Sequence, residues 1–313
     1  MPRPLRYVQP GGGLFEVVSR CFQGRALLRP SKTVNQRILG ILARGVRLSG
    51  ARLVAPTVLS NHAHLLVQVE NAQQLAIFMG FINSNIARQI GPLHGWEGKF
   101  WQGRYRAIPI SEEEEAQVAR LRYVLAQGCK EGLVTRPQDW PGLHAARAIA
   151  SGNPLEGVWF NGTGYYRARL RRGEPRRIDH EEAEVLHLAA LPCWAHLSAT
   201  DYRERVSAIA QEITQETQER HRAQGSRPLG RRAILRQHPH QRGNPLQKTR
   251  VPWIHAAQKW VREAYCSLYR EFVAAYRTAA QKLSSGNRMA VFPPGCFPPA
   301  LPFVPPPDRR PTG

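Results

Sequence analysis

Acidic residues are scarce in this chain: 23 Asp and Glu stand against 44 Lys and Arg, for a formal net charge of +21 and a pI near 10.8. Residues 1–150 hold 19 basic and 9 acidic side chains, an excess of ten, and residues 151–313 hold 25 and 14, an excess of eleven. The surplus is therefore not a tail, and in an otherwise globular composition it points to a polyanionic partner, most often nucleic acid. Cysteine is also sparse. Cys21, Cys129, Cys193, Cys266 and Cys296 are odd in number and scattered without any C-x-x-C, which speaks against a disulfide framework or a zinc knuckle and fits a reducing compartment. Long apolar runs are missing too. The stretch Leu75 to Ile82 is broken by Gly80 and falls well short of the ~20 residues that span a bilayer. Met1-Pro2-Arg3-Pro4 lacks the apolar core of a signal peptide. The expectation is a soluble, cytoplasmic protein, nucleoid-associated through its charge, with no membrane partner and no internal repeat.

Residues 14–24, rich in β-branched and aromatic types, predict a first strand. Val34, Ile38, Leu39, Ile41, Leu42 and Val46 recur at helical spacing. Val54 to Val69 predicts a strand pair that breaks near Ser60-Asn61, and Gln73 to Ile90 a second helix with Leu75, Phe78, Met79, Ile82 and Ile86 on its apolar side. Phe100 to Ile110 reads as a further strand. Glu112 to Glu115 open the next helix, where carboxylates suit the positive end of the helix dipole; it continues through Leu121, Val124 and Leu125 and stops near Gly128 or Gly132. The order β-α-β-β-α-β predicts the α+β class, as a ferredoxin-like two-layer sandwich of an antiparallel sheet with helices on one face. That unit occupies residues 1–150. Residues 151–290 predict a basic, mainly helical C-terminal extension, with connections at Ser151 to Pro154 and Asn161 to Gly164. Its helices are expected at Glu181–Leu191, Tyr202–Arg222 and Trp253–Leu283, with an arm of eight Lys and Arg and no acid between His221 and Arg250. Residues 291–313 are proline-rich and predict a disordered tail.

The segment with chemistry is Leu59-Ser60-Asn61-His62-Ala63-His64-Leu65-Leu66-Val67. A strand turns alternate side chains to opposite faces, so His62 and His64 share one face and can hold one divalent ion. Two imidazoles beside a core also need a polar partner, which a metal supplies. Such a pair alone is a common structural pattern. Tyr123 and Gln127, four apart in a helical segment, share a face as well, although a half-buried core tyrosine and a solvated glutamine would look the same. If the two faces meet, the product is a two-histidine metal site with an amide ligand beside a tyrosine, a set suited to breaking a phosphodiester bond. Single strands and hairpin loops bind where Lys and Arg track phosphates and aromatic rings receive bases. Lys99, Arg104, Arg106 and Arg122 are the phosphate candidates, and Trp101 and Tyr105 serve either as stacking surfaces or as core. His94 and His144 read as loop histidines. The stripe Trp260, Tyr265, Tyr269, Phe272, Tyr276 reads as a packing face.

Together these blocks resemble the single-tyrosine HUH transposases, particularly the REP-associated tyrosine transposases of bacteria. Ser60 to Val67 is similar to the family's His-hydrophobic-His block. Gly98-Lys99-Phe100-Trp101-Gln102-Gly103-Arg104-Tyr105 is similar to its G-x-x-W-Q-x-R-Y segment, and Leu121 to Gln127 to the helix that bears its tyrosine and third metal ligand. Lys130 to Val134 and Asp139-Trp140-Pro141 continue the likeness, which covers roughly residues 14–147. The chain departs at Gln127-Gly128-Cys129, where REP-associated members often carry Asn followed by Pro-Val; Gln holds that ligand position in related insertion-sequence enzymes.

The resemblance implies a metal-dependent, single-stranded DNA transposase that nicks and rejoins DNA at hairpin-associated sites. Tyr123 is then the nucleophile of a 5′-phosphotyrosine intermediate, and His62, His64 and Gln127 hold Mg²⁺ or Mn²⁺. The partner is single-stranded or hairpin DNA, and both a homodimer and a monomer stay open. Two other readings also remain: a domesticated descendant that binds hairpin DNA or RNA without cutting, and a metal phosphohydrolase using water, which would not need Tyr123.

Overall fold

The computed structural model describes residues 5–243 and 251–297. Four strands form one antiparallel sheet: β1 (Gly13–Arg20), β2 (Arg52–Val58), β3 (His62–Val69) and β4 (Arg106–Ile110), in the order β2-β3-β1-β4. Helix α1 (Lys32–Ser49) follows β1 and α2 (Ala72–Ile90) follows β3, which completes the expected β-α-β-β-α-β unit. Both helices begin on a side chain that caps a free backbone amide: Ser31 accepts from Val34 N, and Asn71 from Gln74 N. α1 ends at Gly50 with φ 71°, a left-handed turn that favours glycine.

Strands β1 and β3 are apolar on both faces, so both faces need cover. Phe15, Val17, Leu65 and Val67 pack against Ile38 and Ile41 of α1 and Phe78 and Ile82 of α2. The opposite face, with Leu14, Leu66 and Ile110, is buried under α3 (Glu114–Leu125) through Leu121 and Val124. Behind α3 lie α4 (Ala145–Ser151) and Val206, Ile209 and Ile213 of α6 (Ala199–Ala223). The sandwich thus gains a helical layer on its second face, largely from the C-terminal extension.

Several boundaries differ from expectation, each for a tertiary reason. The strand expected over Phe100–Ile110 is regular only from Arg106. Before it, Trp101 makes one bridge to Cys21 as the chain rounds the end of β1. The segment expected as a helix from Glu181 to Leu191 instead holds strand β6 (Glu181–Leu186), paired with β5 (Leu155–Phe160). Three acids of β6 meet arginines of α1: Glu181 with Arg37, Glu182 with Arg44, and Glu184 with Arg44 and Arg47. Those pairs are invisible to local periodicity. Helices α5 (Gly162–Arg172) and α7 (Arg231–Arg236) complete the middle of the extension. The last long helix, α8 (Lys259–Ser284), starts six residues later than Trp253, because Ile254 and His255 run extended beside the end of β4 and Glu113 takes the amides of Ala257 and Gln258. Residues 298–313 of the expected tail and 244–250 of the basic arm lie outside the described residues. Among the described residues no helix is long and apolar enough to cross a membrane.

The β5–β6 pair sits directly on α1, and two glycines permit it. A Cβ on Gly40 would lie 2.3 Å from the carbonyl carbon of Val158, and one on Gly157 2.2 Å from the Gly40 nitrogen. Gly40→Ala is therefore expected to cost about 1–3 kcal/mol by overpacking. Gly80→Ala, with nothing within 4 Å, should stabilise α2 by roughly 0.5–1 kcal/mol. Denaturant unfolding of the two variants checks the pair of opposite signs.

Candidate active site

His62 and His64 stand on the face of β3 that looks toward α3, with ring centroids 5.1 Å apart. The ring of Tyr123 on α3 meets His64 edge-on at 5.6 Å. The two faces marked out in the sequence therefore meet, because Leu121, Val124 and Leu125 seat α3 on the same face of the sheet. The helix ends earlier than the spacing argument assumed. α3 stops at Leu125, and Gln127 lies in the following turn, closed by Gly128 at φ 88°. Gln127 is nevertheless buried, and its Nε2 donates to the Tyr123 carbonyl at 3.1 Å. His144 holds this turn from behind. Its Nδ1 accepts from Ala146 N, so the proton sits on Nε2, which donates to the Gln127 carbonyl at 3.2 Å. Burial pushes the His144 imidazole down to about 4, which keeps it neutral in that role.

The tautomers of the histidine pair follow from their partners. Asn61 Nδ2 donates to the Gly24 carbonyl, which turns its Oδ1 toward His62 Nδ1 at 2.6 Å. His64 Nδ1 lies 3.0 Å from Glu16 Oε1, a carboxylate oxygen that only accepts. In their neutral form both imidazoles therefore carry the proton on Nδ1 and leave Nε2 with a lone pair, the tautomer a metal ligand needs. The side chain of Gln127 is near enough to His62 to act on its imidazole. Burial first, then the neighbouring His64 and Arg20, push the His62 imidazole down to about 3, against the proton. The donor set thus fits a divalent ion of the Mg²⁺ or Mn²⁺ kind, for which imidazole with carbonyl oxygen is a borderline pairing. Among the described residues no group of three or more His, Cys, Asp and Glu is placed to hold a metal, so the candidate donors are the two imidazoles and the amide.

Glu16 was not among the candidates, although an acid inside the run Leu14-Phe15-Glu16-Val17-Val18 was a signal worth following. It is buried on the same face as His64, and His255 Nε2 and Arg120 approach its second oxygen at 2.8 and 3.6 Å. Burial opposes its charge, but the contacts with His255 and His64 outweigh that and hold the carboxyl well below the usual range. A carboxylate behind a ligating imidazole fixes its orientation and basicity. Glu16→Gln is expected to weaken Mn²⁺ binding by about 10–100-fold, read by titration of the free protein with the ion.

Two cations flank the tyrosine. Arg120, one helical turn before it, lies 4.7 Å from the ring centroid, and Lys130 4.6 Å. The i, i+3 spacing of Arg120 was legible in the sequence; Lys130 arrives only through the turn after α3. The proposed DNA contacts divide. Arg104 and Arg106 are exposed at the start of β4, and Arg106 is near enough to Arg20 for their charges to interact. Lys99 is exposed, with its ammonium 5.9 Å from the Phe22 ring. Trp101 packs on the α2 side of the sheet, and its Nε1 donates to the Asn83 carbonyl. Arg122 is not brought to the site: it ion-pairs with Glu212 and Glu216 of α6 at 2.8 and 2.5 Å. The four glutamates that open α3 include two with fixed partners, Glu113 at the start of α8 and Glu114 on Trp194 Nε1.

Residues 18–127 match the family model described as "Transposase IS200 like". Among solved structures, the chain is similar to a protein of Deinococcus radiodurans R1 described as a candidate transposase. The two are 21% identical over 38% of this chain and 94% of that one, with a TM-score of 0.28. It is also similar to a REP-associated tyrosine transposase solved bound to a REP hairpin, 21% identical over 45% of this chain and 81% of that one, with a TM-score of 0.39. No curated protein matches it.

Proposed function

We propose, from the match of residues 18–127 to the IS200-like transposase family model, that the protein is a metal-dependent, single-stranded DNA transposase that nicks and rejoins DNA at hairpin-associated sites. The observation that supports this reading is the convergence of His62, His64 and Gln127 with Tyr123, whose ring lies 5.6 Å from that of His64. In the proposed reaction the Tyr123 phenol oxygen attacks the scissile phosphorus as its proton leaves. The bond to the 3′ oxygen breaks, that oxygen takes up a proton, and the DNA 5′ end stays on the tyrosine. Attack by another 3′-hydroxyl reverses the step, and no nucleotide cofactor is needed because the phosphodiester is conserved as a phosphotyrosine.

His62, His64 and Gln127 would hold Mg²⁺ or Mn²⁺, with Asn61 and Glu16 keeping the imidazoles in the ligating tautomer. When bound, such an ion acts as a Lewis acid on the scissile phosphate. Arg120 and Lys130 present positive charge beside the nucleophile, where negative charge gathers on the phosphate oxygens in the transition state. The basic surplus in both halves of the chain agrees with a DNA substrate and implies strong salt dependence.

The test is incubation of the full chain with 5′- and 3′-labelled hairpins bearing single-stranded flanks, with Mn²⁺, Mg²⁺ or EDTA, followed by a denaturing gel. A metal-dependent protein–DNA adduct is the expected result. Binding without adduct across many hairpins would leave a non-cleaving DNA-binding protein, and cleavage without adduct would select a hydrolase.

A further inference from the structure

The outer edge of β4 opens into a cavity of about 570 Å³ that the chemistry above does not use. Its walls come from three distant stretches: Arg6 and Tyr7 near the start of the chain, Arg104 to Arg106 leading into β4, and Trp253 with the aromatic face of α8. Two of those stretches lie outside the family-matched segment 18–127. The lining contains three arginines and no carboxylate, and no salt bridge reaches Arg6 or Arg106 among the described residues. The Arg6 guanidinium lies 4.4 Å over the Tyr105 ring, an arrangement that holds a charge in place without neutralising it. The Tyr105 hydroxyl is buried with no hydrogen-bond partner among the described residues, an uncommon state for a polar group. Trp253 is 56% exposed although its ring is braced edge-on against Tyr269 at 4.7 Å. A rigid, open indole beside the guanidiniums of Arg6 and Arg106 is the composition of a single-strand binding groove, where bases stack and phosphates are tracked.

Through Arg106 the groove reaches the face of the sheet that carries the candidate active site. Arg106 pairs with Val18, and Val18 pairs with His64. Directly paired residues share a face of the sheet, so Arg106 lies on the face of His64 with one strand between them, roughly 10 Å away at the usual strand spacing. Arg20, on that face, bridges the interval with a further positive charge. The outer edge of β4 is covered by His255 at Ile110.

We propose that this groove is a second nucleic-acid site, which takes the single-stranded DNA flanking the scissile phosphate. Bases stack on Trp253, while Arg6, Arg104 and Arg106 hold the phosphates. The proposal rests on the DNA reading above. A duplex does not suit the groove, because its base faces are already stacked. An extended acidic peptide lying along β4 is the competing occupant, and it leaves the indole without a role.

The experiment uses the full chain and fluorescence anisotropy with labelled hairpins, blunt or carrying single-stranded flanks, together with photocrosslinking from 5-iododeoxyuridine in the flank. Trp253→Ala should bind the flanked hairpin about tenfold more weakly and the blunt hairpin as the wild type does. Trp253→Phe should recover most of the loss, and wild-type crosslinks should map to Trp253, Tyr105 or Tyr7. Unchanged affinity of Trp253→Ala for the flanked hairpin would overturn the groove while leaving the DNA reading intact. An equal loss on blunt and flanked hairpins would overturn it as a general defect. Absence of any hairpin binding by the wild type would remove the DNA reading and the groove with it. Crosslinks displaced by an acidic peptide but not by unlabelled single-stranded DNA would assign the groove to a protein.

Discussion

Tyr123→Phe is expected to abolish the covalent protein–DNA adduct and to lower strand cleavage by on the order of 10³-fold or more, as removal of a nucleophile does. The phenyl ring keeps its place against His64 and under Arg120 and Lys130, since those contacts are made by the ring rather than the hydroxyl. Folding and hairpin affinity should therefore stay close to wild type, which separates a chemical role from a structural one. Cleavage that persists in Tyr123→Phe would transfer the nucleophile's role to water. The readout is a denaturing gel of 5′- and 3′-labelled hairpins alongside equilibrium binding by anisotropy.

His62→Ala is expected to lower metal-dependent cleavage by roughly 10²–10³-fold, since Lewis-acid stabilisation amounts to several kcal/mol and each 1.36 kcal/mol is a factor of ten. In the proposed site the variant would remove one of three protein ligands of the ion. A thermal readout makes the case independent of catalysis. An ion that binds only the folded chain raises its stability through linkage, so Mn²⁺ should raise the melting temperature of the wild type and leave that of His62→Ala unmoved. Equal shifts in both proteins would show that the ion binds elsewhere.

Much of the sheet was legible because its evidence is local. Alternating and doubly apolar runs mark β1 and β3, the apolar period marks α1 and α2, and Ser31, Asn71 and Gly50 mark their ends. The histidine pair was legible for the same reason, since a period of two puts His62 and His64 on one face whatever surrounds them. Strand β6 was not, because Glu181, Glu182 and Glu184 are explained by arginines of α1 more than 130 residues away in sequence. Arg122, expected as a DNA contact, is paired instead with Glu212 and Glu216, some ninety residues away in sequence.

By itself, then, the sequence determined the ferredoxin-like order of elements, the basic character of both halves, and the separate pairs His62 with His64 and Tyr123 with Gln127. Each depends on spacing along the chain and on the chemistry of side chains, although Gln127 falls in the turn after α3. Only the tertiary structure decided that the two pairs meet, that Glu16 and Asn61 set the imidazole tautomers, and that Arg6, Tyr105 and Trp253 share a groove beside β4. Those are relations between segments as much as 247 positions apart, and they follow from which faces the packed core brings together rather than from any local pattern.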